Sequence, residues 1–193
     1  MEFKHYSVLL NETIENLNIK DCYINNIWND ASVASGAGGI VGCYANIIKK
    51  CSVSGNISVS LPANTTLNTC TVYVGGISGC CASPNWDAAE SPSKIEECFN
   101  KATVSINVSK LADSVGKLWV GGITARCYNV EISNSYNAGT VGVNIPENYN
   151  GVLFVGGIVG DLDPATLVIN NSYNIGTLSS NSFGVILGGV LQE

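Results

Sequence analysis

The sequence predicts an all-β chain, and within that class a parallel β-helix, or β-solenoid, of about four to five coils. Strand-forming residues are abundant, whereas charged helix formers are scarce: Asp, Glu, Lys and Arg make up only 12% of the 193 residues. Two sequence blocks also recur in the same order through most of the chain. The segments beside them alternate apolar and polar residues with a period of two, which is typical of strands with one buried face.

The composition excludes several classes of function. The chain is 46% hydrophobic, so it can form a core and is not wholly disordered. Its net charge is −6 with nine Lys and Arg, and we expect no nucleic-acid partner because phosphate contacts need a basic face. The single histidine, His5, argues against a histidine metal centre or a Ser-His-Asp site. No apolar run reaches about 18 residues, so we expect no transmembrane segment.

The first recurring block, called the Gly-Gly block, is a pair of glycines followed by Ile or Val. Its copies begin at Gly38, Gly75, Gly121, Gly156 and Gly188. None has the Gly-x-Gly-x-x-Gly spacing or the Lys-Ser ending of a phosphate-binding loop. We therefore expect these glycines to allow a tight bend or a close approach between neighbouring coils.

The second block, called the Asn block, has an Ile, then Cys or Ser three residues later, and in most copies Asn two residues after that. Its copies begin at Ile48, Ile95, Ile132 and Ile169, and a degenerate copy containing Cys22 begins at Ile19. Asn100, Asn137 and Asn174 occupy the Asn position. Because Asn can bond to its neighbours above and below, we expect these three to form a structural ladder at a bend.

A single unit of two or three short strands cannot bury its apolar face alone. Stacked units would bury a continuous core and pair their backbones, with about 4.8 Å between strands. We expect residues 1–34 to be an irregular first coil or cap, and residues 35–193 to form one solenoid. The array stops within a unit, which suggests a piece of a longer one. A sandwich or prism of hairpins is the alternative fold.

The Gly-Gly blocks resemble the GLUG repeat, which is named for Gly, Leu, any apolar residue and Gly. The matching strings have Ile for Leu: Gly39-Ile40-Val41-Gly42, Gly76-Ile77-Ser78-Gly79 and Gly157-Ile158-Val159-Gly160. The third copy departs at Ala125 and the fifth at Gln192. The resemblance spans roughly residues 35–193. It implies a stalk or binding module of a large bacterial or protist surface protein, such as an adhesin-like protein or a secreted peptidase.

The start of the chain, residues 1–5, does not read as a signal peptide, because no apolar run follows a basic one. The chain is therefore either intracellular or cut from a longer secreted precursor. The repeats favour the second option, so we expect an extracellular or cell-surface location.

The eight cysteines have two interpretations. Three positions recur between units: Cys22, Cys51 and Cys98 with Ser135 and Ser172; Cys43 with Cys80; and Cys81 with Cys127. A position that accepts Cys or Ser needs a small side chain and implies no metal. Buried thiols are one interpretation, and disulfides between stacked pairs are the other, since stacking brings Cα atoms close to the required distance. No Cys-x-x-Cys motif supports a zinc ribbon.

The candidate ligand-binding residues are aromatic. Tyr73, Trp119 and Phe154 each lie two residues before a Gly-Gly block. The valine after each is predicted to be buried, so the aromatic side chains should point outward in one exposed row. Such a row could bind a sugar chain or a partner strand, or it could stiffen the coil by stacking on itself or pack beneath a neighbouring loop. Trp86, in the insert of residues 81–94, is the fourth candidate.

These features together predict a non-catalytic module that acts as a stalk or as an adhesive or assembly surface, with no metal and no cofactor. The expected partners are neighbouring repeats of the parent protein, another copy, a glycan or a host protein. A carbohydrate-processing β-helix enzyme is one alternative, and it would need carboxylates on an outer face. Asp161 and Asp163 are close in sequence, but such a pair is more typical of a solvated turn. An intracellular filament component is the other alternative.

Overall fold

A computed structural model describes residues 13–15, 18–25, 35–43, 47–61, 71–82, 92–108, 116–147, 149, 151–162, 167–181 and 186–188. These residues form strands and no helix. All the pairings between these strands are parallel. The predicted all-β, parallel-sheet class is confirmed, and the hairpin alternative is wrong for the described ranges. No helix suited to crossing a membrane occurs there either.

The strands lie in four sheets, labelled A to D. Sheet A contains β1 (Thr13–Glu15), β5 (Ile47–Lys49), β9 (Ser93–Glu96), β14 (Val130–Ser133) and β19 (Leu167–Asn170). Sheet B contains β2 (Asn18–Asn25), β6 (Ser52–Leu61), β10 (Phe99–Asn100), β11 (Thr103–Val108), β15 (Tyr136–Asn137), β16 (Val141–Asn144), β20 (Tyr173–Asn174) and β21 (Leu178–Ser180).

Sheet C contains β3 (Ser35–Gly38), β7 (Thr71–Gly75), β12 (Lys117–Gly121), β17 (Val152–Gly156) and β22 (Ile186–Gly188). Sheet D contains β4 (Val41–Cys43), β8 (Ser78–Ala82), β13 (Thr124–Tyr128) and β18 (Val159–Leu162). Successive strands along the chain belong to sheets A, B, C and D in that order, and the order repeats from unit to unit. Within each sheet, the neighbours of a strand are therefore its equivalents in other units.

Burial follows the alternation that the sequence predicts. In β11, Val104 and Ile106 are fully buried, while Ser105 between them is only half-buried. The buried face of each sheet contributes to one main core, which includes Ile48, Ile95 and Ile132 paired in register across sheet A. The isoleucines that open the Asn blocks at residues 48, 95 and 132 are thus core residues, and Ile169 packs against the core from a partly buried position.

The Gly-Gly blocks form the corner between sheets C and D, and two contacts explain their glycines. A Cβ atom on the first glycine, such as Gly75, would collide with the carbonyl oxygen of Ser78 three residues later. A Cβ atom on the second would meet the Asn position across the core: at Gly122 it would lie 2.5 Å from Cγ of Asn137. The prediction of tight bends and close approach is confirmed, because any side chain there would overlap a neighbour.

The first unit departs from the alignment that the sequence predicts. Strands β1 and β2, which fall within residues 1–34, pair in parallel with β5 and β6. Ile14, rather than Ile19, is opposite Ile48. Cys22 is opposite Ile57, so its predicted place in the column of Cys51 is wrong. The reason is that the whole first unit pairs in a different register from the predicted one, since Ile14 takes the place predicted for Ile19 and Asn18 already lies opposite Ser52. A further register shift lies in β2 between Lys20 and Cys22.

Candidate functional site

The predicted aromatic row exists. Tyr73 pairs in register with Trp119, and Trp119 with Phe154. Their ring centroids are 5.0 Å apart for the first pair and 6.3 Å apart for the second. The rings are tilted by 34° and 31°, rather than coplanar. We call these three residues the covered column.

The prediction that this column is exposed is wrong. Tyr73 is only 4% exposed and Trp119 only 5%, and Phe154 is half-buried. The rings do point away from the main core, because they form a separate cluster with Cys80 and Ala125 of sheet D. The outer faces of sheets C and D therefore lie against each other beside the Gly-Gly corner, and this contact removes the rings from solvent.

Arg126 lies over two rings of this column. Its guanidinium carbon lies 4.8 Å from the Trp119 ring centroid and 5.7 Å from that of Tyr73, within the range of cation–π attraction. Its Nη1 donates a hydrogen bond of 2.9 Å to the Tyr73 hydroxyl. Burial raises the pKa of Tyr73, and the positive charge of Arg126 opposes that rise. The column is thus held between an apolar sheet and a cation.

Of the remaining candidates from the sequence, only some lie within the described residues. Trp86 lies outside the described residues, and so does Asp163. Asp161 lies opposite Arg126 in the register of sheet D, so a carboxylate follows the arginine in the same column. Within the described ranges no cluster of three or more metal-ligating side chains occurs.

A second aromatic column lies in sheet B and was not among the candidates. Phe99, Tyr136 and Tyr173 pair in register. Their rings are stacked, with centroids 4.6 Å and 5.5 Å apart and interplanar angles of 29° and 8°. Tyr173 is 50% exposed, and the other two rings are half-buried. We call these residues the open column; its signal in the sequence was an aromatic residue before Asn in three Asn blocks.

The predicted asparagine ladder is confirmed, directly beside the open column. Nδ2 of Asn100 donates to Oδ1 of Asn137, and Nδ2 of Asn137 donates to Oδ1 of Asn174, both at 2.7 Å. Each amide also bonds to the backbone two residues later, as Asn137 does with the N–H and the carbonyl of Gly139. Asn100 and Asn137 are fully buried with their polar atoms satisfied.

The Cys/Ser position closes the turn between sheets A and B. The residue before it has a left-handed backbone, with φ of 54° at Lys50, 53° at Glu97, 50° at Asn134 and 47° at Asn171. The thiol of Cys98 and the hydroxyl of Ser135 each donate to the carbonyl two residues earlier, at 3.3 Å and 2.8 Å. The backbone N–H of Cys98 also donates to Ser135 Oγ at 3.0 Å. Cys and Ser interchange here because both donate this bond.

The cysteines whose side chains the structure describes are buried thiols rather than disulfides. This holds for Cys51, Cys80, Cys81, Cys98 and Cys127. The predicted pairing of Cys43 with Cys80 and of Cys81 with Cys127 is confirmed by the register of sheet D. Burial raises the pKa of Cys81 and of Cys98 to about 12, and it also raises that of Cys127. These thiols are poor nucleophiles at neutral pH, because the thiolate is the reactive form.

Comparison of the chain with protein-family models, with curated proteins and with solved structures found no match. The resemblance to GLUG repeats therefore stays a prediction from the sequence.

Proposed function

We propose that the chain is a β-solenoid of stacked coils that serves as a non-catalytic stalk and assembly module of a GLUG-like surface protein. The observation that supports this most directly is the in-register parallel pairing of equivalent strands in all four sheets. Each unit adds one strand layer and presents the same outer columns as the unit before it. An extracellular or cell-surface location is part of the proposal and rests on the GLUG resemblance.

The geometry of the open column favours a protein partner over a glycan. A sugar ring binds to an aromatic side chain through the flat face of the ring. In the open column, the faces of Phe99, Tyr136 and Tyr173 are directed along the stack, so the side of the column presents mainly ring edges. The outer face of Tyr173 lies at the end of the stack. In the covered column, Arg126 occupies the space above Trp119. Both arrangements suit contacts between strands better than contacts with a sugar chain.

Insertion of one more unit tests the proposal. A second copy of residues 130–166 can be placed after residue 166, because Val130 and Leu167 are equivalent in register. If the chain is a solenoid, each added copy should lengthen it by about 4.8 Å along one axis and leave its cross-section unchanged. Small-angle X-ray scattering of variants with one, two and three added copies would measure this increment.

The matched control for that series carries the same inserted residues in scrambled order. It should lose the regular increment in length, because its apolar positions no longer alternate. A growth in all three dimensions for the unscrambled insertions would contradict the stacked-coil proposal. The denaturant m-value provides a second measurement, since it should rise with each added unit if the units fold as one body.

A further inference from the structure

The last described unit lacks the cover that earlier units have. Ile132 and Val141 are fully buried, whereas their register partners Ile169 and Leu178 are partly exposed. We call strands β19, β20 and β21 of this unit the open edge. Its apolar inner positions are those that the next unit covers everywhere else in the stack.

In the described part of the chain, the hydrogen-bond donors on the open edge also lack acceptors that the equivalent donors of the preceding unit have. In the preceding unit, the backbone N–H of Ser135 donates to Ser172 Oγ at 3.1 Å, and Asn137 Nδ2 donates to Asn174 Oδ1 at 2.7 Å. Asn174 Nδ2 donates to the carbonyl of Gly176 at 3.1 Å, which uses one of its two hydrogens. Within the described ranges, the second hydrogen and the N–H of Ser172 have no acceptor. The open edge thus presents a fixed pattern of donors around an apolar strip.

We propose that the open edge binds a strand of Asn-block sequence, supplied in parallel and in register by a neighbouring repeat unit. This inference rests on the stacked-coil function proposed above and names the partner of that surface. The incoming asparagine would accept the free hydrogen of Asn174, its aromatic residue would stack on Tyr173, and its apolar residues would cover Ile169 and Leu178. Main-chain bonds give such strand addition its affinity, and the side-chain positions give its specificity.

A second copy of the chain fits this edge less well than an Asn-block strand does. In the first unit, Ile19 occupies the position of the asparagine ladder, because it pairs with Val53, and Val53 pairs with Asn100. Asn18 occupies the aromatic position, because it pairs with Ser52 opposite Phe99. Head-to-tail stacking would place an isoleucine over the Asn174 amide, where no acceptor would meet it, and leaving a donor unpaired on burial is costly.

A labelled peptide tests the proposal. The probe is a fluorescent peptide with the sequence of residues 167–180, titrated with the intact chain and followed by fluorescence anisotropy. The expected result is saturable binding. A peptide in which the residue equivalent to Asn174 is Leu should bind at least about tenfold more weakly, because it offers no acceptor to the ladder. Absence of binding, or equal binding of the two peptides, would overturn the proposal.

Two variants of the chain locate the binding at the open edge. Asn174→Asp keeps the acceptor for Asn137 and removes the donated hydrogens, so peptide affinity should fall by about tenfold or more. Thr177→Asp adds the same charge at an exposed neighbouring position and should bind nearly as the unmodified chain does. Equal loss in both variants would show that charge alone decides binding and would overturn the ladder contact.

Sedimentation velocity without peptide supplies the last arm of the test. The chain should show no association that depends on Asn174 as its concentration rises. Association that is abolished by Asn174→Asp, and that excess peptide does not compete away, would instead identify a second copy as the occupant. That result would overturn the assignment to an Asn-block strand of a neighbouring repeat unit. None of these outcomes depends on the insertion series, so failure here is distinguishable from failure of the proposed fold.

Discussion

The covered and open columns are built alike and differ in what lies over them. Each places one large aromatic residue per unit in register, in three successive units. The covered column faces sheet D, where Arg126 lies over two of its rings. The open column belongs to sheet B, and its last ring is 50% exposed. An aromatic row that points away from the core is therefore not by itself a binding surface, because the neighbouring sheet decides whether solvent reaches it.

Truncation of one ring in each column should give the largest difference. Trp119→Ala should lower the free energy of unfolding by about 3–5 kcal/mol, because it removes a buried ring and leaves a cavity beneath Arg126. Tyr136→Ala, the matched change in the open column, should cost only about 1–2 kcal/mol, mainly through its two stacked pairs. Urea unfolding of both variants measures the difference. Equal losses would show that both columns are packed to the same degree.

Removal of the cover should have a smaller effect, confined to one column. Arg126→Met keeps a long side chain but removes the two cation–π contacts of Arg126 and its bond to the Tyr73 hydroxyl. It should lower the free energy of unfolding by about 1–3 kcal/mol. Arg126→Lys, the control that retains the charge, should recover part of this loss. If Tyr136→Ala lowers stability equally in the presence and absence of Arg126, the two columns are energetically independent; a coupling above about 0.5 kcal/mol would contradict that.

The smallest effect at neutral pH is expected for the thiols of Cys81 and Cys98, which lie in the main core and should respond to pH alike. Folding raises the pKa of Cys81 and Cys98 from 9.0 to about 12. The stability linked to these neutral thiols should therefore be complete below about pH 9 and decrease as the pH rises toward 12, since the unfolded chain releases its protons first. Cys98→Ser should change the unfolding midpoint little at pH 7, because Ser135 makes the same bond one unit later.

The comparison that tests the thiol effect is the slope of stability against pH. Between about pH 9 and the highest pH at which the chain remains folded, Cys98→Ser should lose stability less steeply than the unmodified chain. Urea midpoints at a series of pH values provide the measurement. Parallel slopes would show that Cys98 is not protected from ionisation in the folded state.

Repetition explains which parts of the structure could be predicted from the sequence. When a block recurs in order, equal positions stack, so the Asn100, Asn137 and Asn174 ladder follows from spacing alone. The outward direction of Trp119 follows from the buried position of Val120 beside it. Its burial does not, because it depends on how closely sheets C and D approach and on an arginine in another sheet.

Two further features of the structure were not predicted, because the sequence either carries no clear sign of them or does not fix the direction of the side chains. The register of the first unit could not be predicted, because only a degenerate Asn block marks that segment, and it suggested Ile19 where Ile14 pairs with Ile48. The open column did have a signal, an aromatic residue before Asn, but orientation could not be argued from alternation within strands of two residues such as β15. Contact between the Asn ladder and the second glycine of the Gly-Gly block was likewise hidden, because it crosses the core.

The asparagine ladder has a direction. Its amide groups point the same way, from Asn100 toward Asn174, so their dipoles add along the stack and each amide polarises the next. The carbonyl end of the row meets the apolar Val53 position, and the amide end lies at the last described unit. The electrostatic strength of the terminal amide should therefore increase with the number of asparagines before it. The hydrogen-bonding strength of the last amide would therefore depend on the length of the array, although the residues at that end stay the same.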